Sequence, residues 1–94
     1  MNIAGKNLLD EFKKKHADAS KWIDNWVADV EGSTWKTPQD IKDKYRSVDF
    51  LSNNKVIFDV KGNRYRLEVV VAYNTGSVLV KRIGTHAEYD KWEN

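Results

Sequence analysis

Up to Ser47 the apolar residues mostly recur every three or four positions, and beyond it they alternate with polar ones. The first period predicts helices and the second predicts strands. Asn2–Ala4 reads as a short opening strand. Lys6 to Lys14 then predicts a helix with Leu8, Leu9 and Phe12 on one face and Lys13, Lys14 and Lys15 turned to solvent. A second helix is predicted from Lys21 to Glu31, capped by Ser20 and ended by Gly32. Its stripe of Trp22, Ile23, Trp26, Val27 and Val30 belongs in a core rather than on a stacking platform. Thr37-Pro38 opens a short third helix, with Pro38 at the first helical position and Ile41 and Tyr45 facing inward.

After Ser47, Val56, Phe58 and Val60 alternate with Lys55, Ile57 and Asp59, predicting a strand with one buried face. Lys61-Gly62 is a turn, Asn63 to Ala72 a second strand, Asn74-Thr75-Gly76 another turn, and Ser77 to Gly84 a third strand. A two-residue loop at Lys61-Gly62 sets Phe58 opposite Tyr65 and Val56 opposite Leu67. A loop over residues 73–76 sets Val80 opposite Val69 and Val78 opposite Val71. Both registers put the apolar residues on one face. The other face then holds Asp59 beside Arg64, Arg66 between Ile57 and Ile83, and Glu68 beside Lys81, while Arg82 falls on the core side. Arg66 is left without an acid across from it, so its partner is an external anion or an acid from a helix or loop. The expected fold is α+β, a single domain of N-terminal helices on an antiparallel meander, with a short helix at the C-terminus.

Composition sets the limits. The chain has 94 residues, no cysteine and four tryptophans, so its core has neither disulfides nor thiolate-bound zinc to support it. No apolar run approaches the ~20 residues that span a bilayer, and Met1 to Lys6 carries no secretion-type apolar segment. A net charge of +2 alone names no partner, but its distribution is uneven. Residues 1–48 carry nine Lys/Arg against eight Asp/Glu, whereas between Val60 and His86 there are five against one. The positive charge gathers on the strands that lead to the C-terminal helix, which suits an anionic substrate.

The candidate chemistry lies at Gly84-Thr85-His86-Ala87-Glu88-Tyr89-Asp90-Lys91. Thr85 and Glu88 have capping-box spacing, which makes His86 the first helical residue and brings Tyr89 and Asp90 to its side one turn later. Cutting RNA without a metal takes a base for the 2′-hydroxyl, cations for the phosphorane charge and an acid for the leaving 5′-oxygen. His86 can serve as acid or base, Arg66 and Lys81 can hold the phosphate, and Tyr89 can orient a proton or stack on a base. A histidine at a helix start is also an ordinary surface or cap residue. His86 with Asp90 supplies two metal ligands and no third, so neither a metal nor a cofactor is expected. Phosphate-loop, dinucleotide and Gly-x-Ser-x-Gly motifs are absent from the sequence.

The runs Val56-Ile57-Phe58-Asp59-Val60, Gly62-Asn63-Arg64-Tyr65-Arg66-Leu67 and Gly84 to Lys91, with Lys81, resemble the HigB toxins of the RelE superfamily. The order of helices before a meander extends the resemblance over the whole chain. It implies a bacterial, cytoplasmic toxin of a type II toxin–antitoxin pair that cuts mRNA on the translating ribosome, in its A site. It also implies a HigA-type helix-turn-helix antitoxin, with operator DNA bound only through that antitoxin. Carried over by residue, Arg66, Lys81, His86 and Tyr89 are the catalytic candidates. Asn63, Arg64 and Arg82 are RNA or phosphate contacts, and Asp90 is supporting. Glu68 and Arg82 depart from the apolar residues the family pattern leads one to expect. The competing reading is a ParE-like toxin that blocks a protein such as gyrase without cutting RNA. Such an inhibitor has no need of the His86/Tyr89 pair.

Overall fold

The computed structural model describes residues 1–92. Its elements are β1 (Asn2–Ala4), α1 (Lys6–Lys15), α2 (Ser20–Glu31), α3 (Pro38–Lys44), β2 (Asp49–Phe50), β3 (Lys55–Val60), β4 (Tyr65–Ala72), β5 (Ser77–Thr85) and α4 (His86–Tyr89). The strands form one sheet in the order β1-β5-β4-β3-β2. Strands β2 to β5 are antiparallel, but β1 lies parallel to β5, with Ile3 opposite Val78. The sheet is therefore mixed rather than a pure meander. Helices separate β1 from β5 in the chain, and strands joined by a crossover instead of a hairpin are free to pair in parallel.

One face of the sheet forms the core. Leu9 and Phe12 of α1, Ile23, Trp26 and Val30 of α2, and Ile41 of α3 pack on Val56, Phe58, Leu67, Val69, Val71, Val78 and Val80. Phe58 is the centre of an aromatic cluster, with Trp26 and Tyr45 edge-on at 5.5 and 5.1 Å and Trp35 stacked at 6.3 Å. Trp26 is 1% exposed, as a core reading of the α2 stripe requires. The Tyr45 hydroxyl donates to Asp29 at 2.9 Å. Burial first, and then that carboxylate, push the phenol far above its ordinary range.

Three local details differ from expectation. A 3-10 turn at Ala17–Ala19 runs straight into α2, so Ser20 already has helical angles and caps nothing. Strand β2 went unforeseen because two residues show no alternation. Its link to β3 is nevertheless written in Asn53-Asn54, both at φ 61, as a tight hairpin turn demands. Third, the β3–β4 loop spans residues 61–64 rather than two residues, pairing Val60 with Tyr65 and Phe58 with Leu67. A slide of two leaves every side chain on its expected face but changes its partner across the strand. The β4–β5 pairs Val69–Val80 and Val71–Val78 are as expected, until a bulge at Glu68/Val69 shifts the remainder by one.

The corner into α1 depends on Gly5, which has φ 89; a Cβ there would lie 2.9 Å from the Val80 carbonyl oxygen. Gly5→Ala should therefore destabilise the fold by more than about 1 kcal/mol, measured by urea denaturation. An unchanged midpoint would show that the corner relaxes freely.

Candidate active site

The sheet face turned away from the core carries two neighbouring rows: Asp59, Arg66 and Gly84, then Ile57, Glu68 and Arg82. Each arginine has a carboxylate beside it. Arg66 Nε lies 3.2 Å from Asp59 Oδ1, and its Nη2 donates to Asn63 Oδ1. The Arg66 side chain is only 10% exposed, so this pairing offsets the cost of removing a guanidinium from water. Glu68 is buried and accepts from Arg82 Nε and Nη2 at 3.2 and 3.1 Å.

These contacts correct the expected pairs. Arg66 does have an acid directly across from it, because the longer β3–β4 loop moves Asp59 from Arg64 to Arg66. Arg64 instead reaches out to Asp18 at 2.8 Å, and Asp18 also accepts from the Tyr65 hydroxyl at 2.7 Å. Tyr65 first, then Arg64, hold the Asp18 carboxyl below its ordinary range. Glu68 pairs with Arg82 rather than Lys81, because the bulge turns Arg82 from the core side to the outer face. Lys81, the extra residue, is exposed and makes no ion pair among the described residues.

Above these rows sits α4. Its capping box is complete: Glu88 N–H donates to Thr85 Oγ1 at 3.1 Å and Thr85 N–H donates to Glu88 Oε1 at 2.8 Å. The His86 N–H donates to the Arg64 carbonyl at 3.1 Å, tying the helix to the β3–β4 loop. Close approach to the sheet requires Gly84, where a Cβ would come within 3.0 Å of the Trp92 ring and 3.1 Å of Glu88 Oε1. The glycine that opens the motif is thus there for the helix to pack against.

The expected pair then falls into place. His86 and Tyr89 lie edge to face with ring centroids 6.3 Å apart, and His86 Nδ1 is 3.5 Å from Asp90 Oδ2. The Arg66 guanidinium lies 5.5 Å from the Tyr89 ring centre, a cation–π contact. The His86 side chain is 43% exposed, which leaves it open to a ligand. The structure thus brings together His86, Tyr89, Asp90, Arg66 and Asn63, whereas Arg64 is held by Asp18 at the rim. Sequence reasoning missed three participants. Asp59 was assigned to the wrong partner, Glu68 was read as an outlier, and Trp92 was not considered. The signal for Trp92 was its spacing, three residues after Tyr89 and six after His86. Its ring meets Tyr89 at 5.5 Å and covers Arg82 at 4.5 Å. Among the described residues no three His, Cys, Asp or Glu side chains gather as a metal site.

A histidine and a phenol on one capped turn, over a guanidinium, can move protons at a phosphate and stabilise its added charge, whereas Lys81 lines a cleft with Leu8, Phe12 and Lys15 of α1. Residues 19–92 match the HigB_toxin family, described as the RelE-like toxic component of a toxin–antitoxin system. The chain belongs to that family, and it is therefore the toxin of such a pair, with an antitoxin as partner. One relative is the mRNA interferase HigB of Escherichia coli O6:H1, 27% identical over 93 residues that cover 97% of this chain and 90% of the relative.

Two predictions arise from this geometry. Arg66→Ala leaves Asp59 without its partner and should cost about 2 kcal/mol of stability in urea denaturation. Asp59→Ala added to it should cost less than the sum of the two single changes; strict additivity would mean that the pair is not coupled. The second concerns Glu88, whose carboxyl is held below its ordinary 4.5 first by the Thr85 amide, with the Thr85 hydroxyl, His16 and Lys15 adding to the effect. A depressed folded value means that the cap is intact above the ordinary value and lost as pH falls through the folded one. The protection factors of the Thr85 and Glu88 amides should therefore fall on acidification through that window. In Glu88→Gln that fall should disappear.

Proposed function

We propose that this toxin is an endoribonuclease that cuts mRNA on the translating ribosome in the bacterial cytoplasm, using its own side chains at the scissile phosphate. The observation that carries the reading is the His86–Tyr89 pair, 6.3 Å apart on one capped turn with the Arg66 guanidinium under Tyr89. A family of RelE-like toxins and a relative named as an mRNA interferase support the same reading. So does the order of helices, sheet and terminal helix, which fits a single RelE-like toxin domain.

In the proposed step the 2′-oxygen attacks the adjacent phosphorus while the bond from phosphorus to the 5′-oxygen breaks. The products are a 2′,3′-cyclic phosphate and a 5′-hydroxyl. One proton leaves the 2′-hydroxyl and one reaches the 5′-oxygen, and His86 and Tyr89 are the groups placed to carry them. Asp90 Oδ2 lies 3.5 Å from His86 Nδ1, close enough to orient the ring. Arg66 shares its charge with Asp59 and sets Tyr89 in place. Lys81 is exposed and has no such partner among the described residues, and its ammonium is the proposed contact to the phosphate oxygens. Asn63 fixes the Arg66 fork, and Arg64 lies at the rim where the RNA backbone passes.

A HigA-type helix-turn-helix antitoxin is the proposed partner, with operator DNA reached only through it. The ribosomal A site is the proposed place of cleavage. Metal or cofactor is not part of the proposed step.

The test is brief induction in a bacterial host followed by mapping of mRNA 5′ ends, with and without active ribosomes. New 5′-hydroxyl ends should appear only while ribosomes translate. His86→Ala and Tyr89→Phe should each lower cleavage about 100-fold, the scale of losing ~3 kcal/mol of transition-state stabilisation, with antitoxin binding retained. Growth arrest without new ends would overturn the reading in favour of a ParE-like block of a protein target. A fully active His86→Ala would make that histidine a surface neighbour of the cap.

A further inference from the structure

Alongside Asp59–Arg66–Tyr89 stands a second stack of the same make-up, an acid, an arginine and an aromatic ring. Glu68 is 1% exposed in the middle of the sheet, on the face opposite the hydrophobic core. Arg82 donates to one of its oxygens through both Nε and Nη2, and the Trp92 ring lies over the Arg82 guanidinium at 4.5 Å. Trp92 in turn touches Tyr89, at 5.5 Å between ring centres, and its edge fills the space over Gly84. A carboxylate this deeply buried is costly unless its charge is met, so Arg82 is held where Glu68 needs it. The flat face of Arg82 is then a fixed seat for an aromatic ring.

We propose that Glu68, Arg82 and Trp92 form an anchor that sets the pose of α4, making Arg82 and Trp92 positioning residues and not ligands of RNA. A helix of four residues has too few internal hydrogen bonds to hold itself. The capping box and the Arg64 carbonyl fix its start, and Tyr89 rests on Arg66. That leaves the end of the turn, which determines how far the Tyr89 hydroxyl stands from His86. Trp92, one turn beyond Tyr89, ties that end to the adjacent row of the sheet. Glu68 and Arg82, which break the apolar pattern of the family resemblance, thereby have a shared purpose.

The consequence for activity rests on the reading of His86 and Tyr89 given above, whereas the anchoring itself does not. The experiment is therefore amide exchange by NMR on the full chain, paired with cleavage kinetics. In Trp92→Ala the Asp90, Lys91 and Trp92 amides, which donate to His86, Glu88 and Tyr89 carbonyls, should exchange at least tenfold faster. Leu67, Val69 and Val71 in the sheet should be unaffected. Trp92→Phe should restore most of the protection. Arg82→Lys keeps the charge but loses the flat fork, and should loosen the same three amides. In cleavage, Trp92→Ala should lower kcat about tenfold and leave KM within twofold. Unchanged exchange in Trp92→Ala, or a raised KM with kcat intact, would overturn the proposal, the latter by showing that Trp92 contacts RNA. Faster exchange with both kinetic constants intact would uphold the anchor and sink the assignment of catalysis to α4.

Discussion

A guanidinium in the middle of a sheet, nine-tenths covered, has to find a carboxylate, and in this protein the Arg66–Asp59 pair is what the outer face is built on. Asp59 fixes Arg66, Arg66 supports Tyr89, and Tyr89 is one of the contacts that seat α4. The core on the opposite face would hold the strands together without any of this. What the ion pair adds is direction: it turns a solvent-facing sheet surface into a seat for a helix that is too short to stand alone. The two faces thus differ in kind, one held by apolar packing and the other by directed polar pairs.

Much of the core was legible because alternation and helical spacing report directly on burial. The stripes of α1 and α2, the proline start of α3, and the faces of β3, β4 and the first half of β5 lie where their spacing places them. The capping box at Thr85 and Glu88 was equally readable, being a local interaction that needs only two residues three apart. What stayed hidden was non-local. Nothing in Asn2–Ala4 says that it pairs in parallel with a strand more than seventy residues later. Nor does the Lys61-Gly62 turn signal reveal whether the loop closes after two residues or four.

Partners on the outer face were harder to read than faces for the same reason. An error of two in register leaves burial untouched, so no apolar residue protests, yet it moves Asp59 from Arg64 to Arg66. The bulge at Glu68/Val69 is a one-residue event on one strand, and only the mismatch of Glu68 and Arg82 with an apolar pattern hinted at it. Trp92 was overlooked because it follows the last helical turn, although its spacing from His86 and Tyr89 continues the helical period. The candidate site residues were picked out by their chemistry; the groups that hold them were not, because their roles come from who faces whom.

The length of the β3–β4 loop has an evolutionary corollary. Because side chains alternate with period two, inserting or deleting a pair of residues in residues 61–64 would slide β3 along β4 and preserve the interior. A single-residue change would turn the strand inside out unless a bulge absorbed it, as one does at Glu68/Val69. Even-numbered indels thus offer this scaffold a route for exchanging the carboxylate beside Arg66 while the fold persists. Lineages on one architecture can drift in this way toward different outer-face constellations. Comparing loop lengths by parity, rather than by identity, would then sort such relatives by which acid meets which arginine.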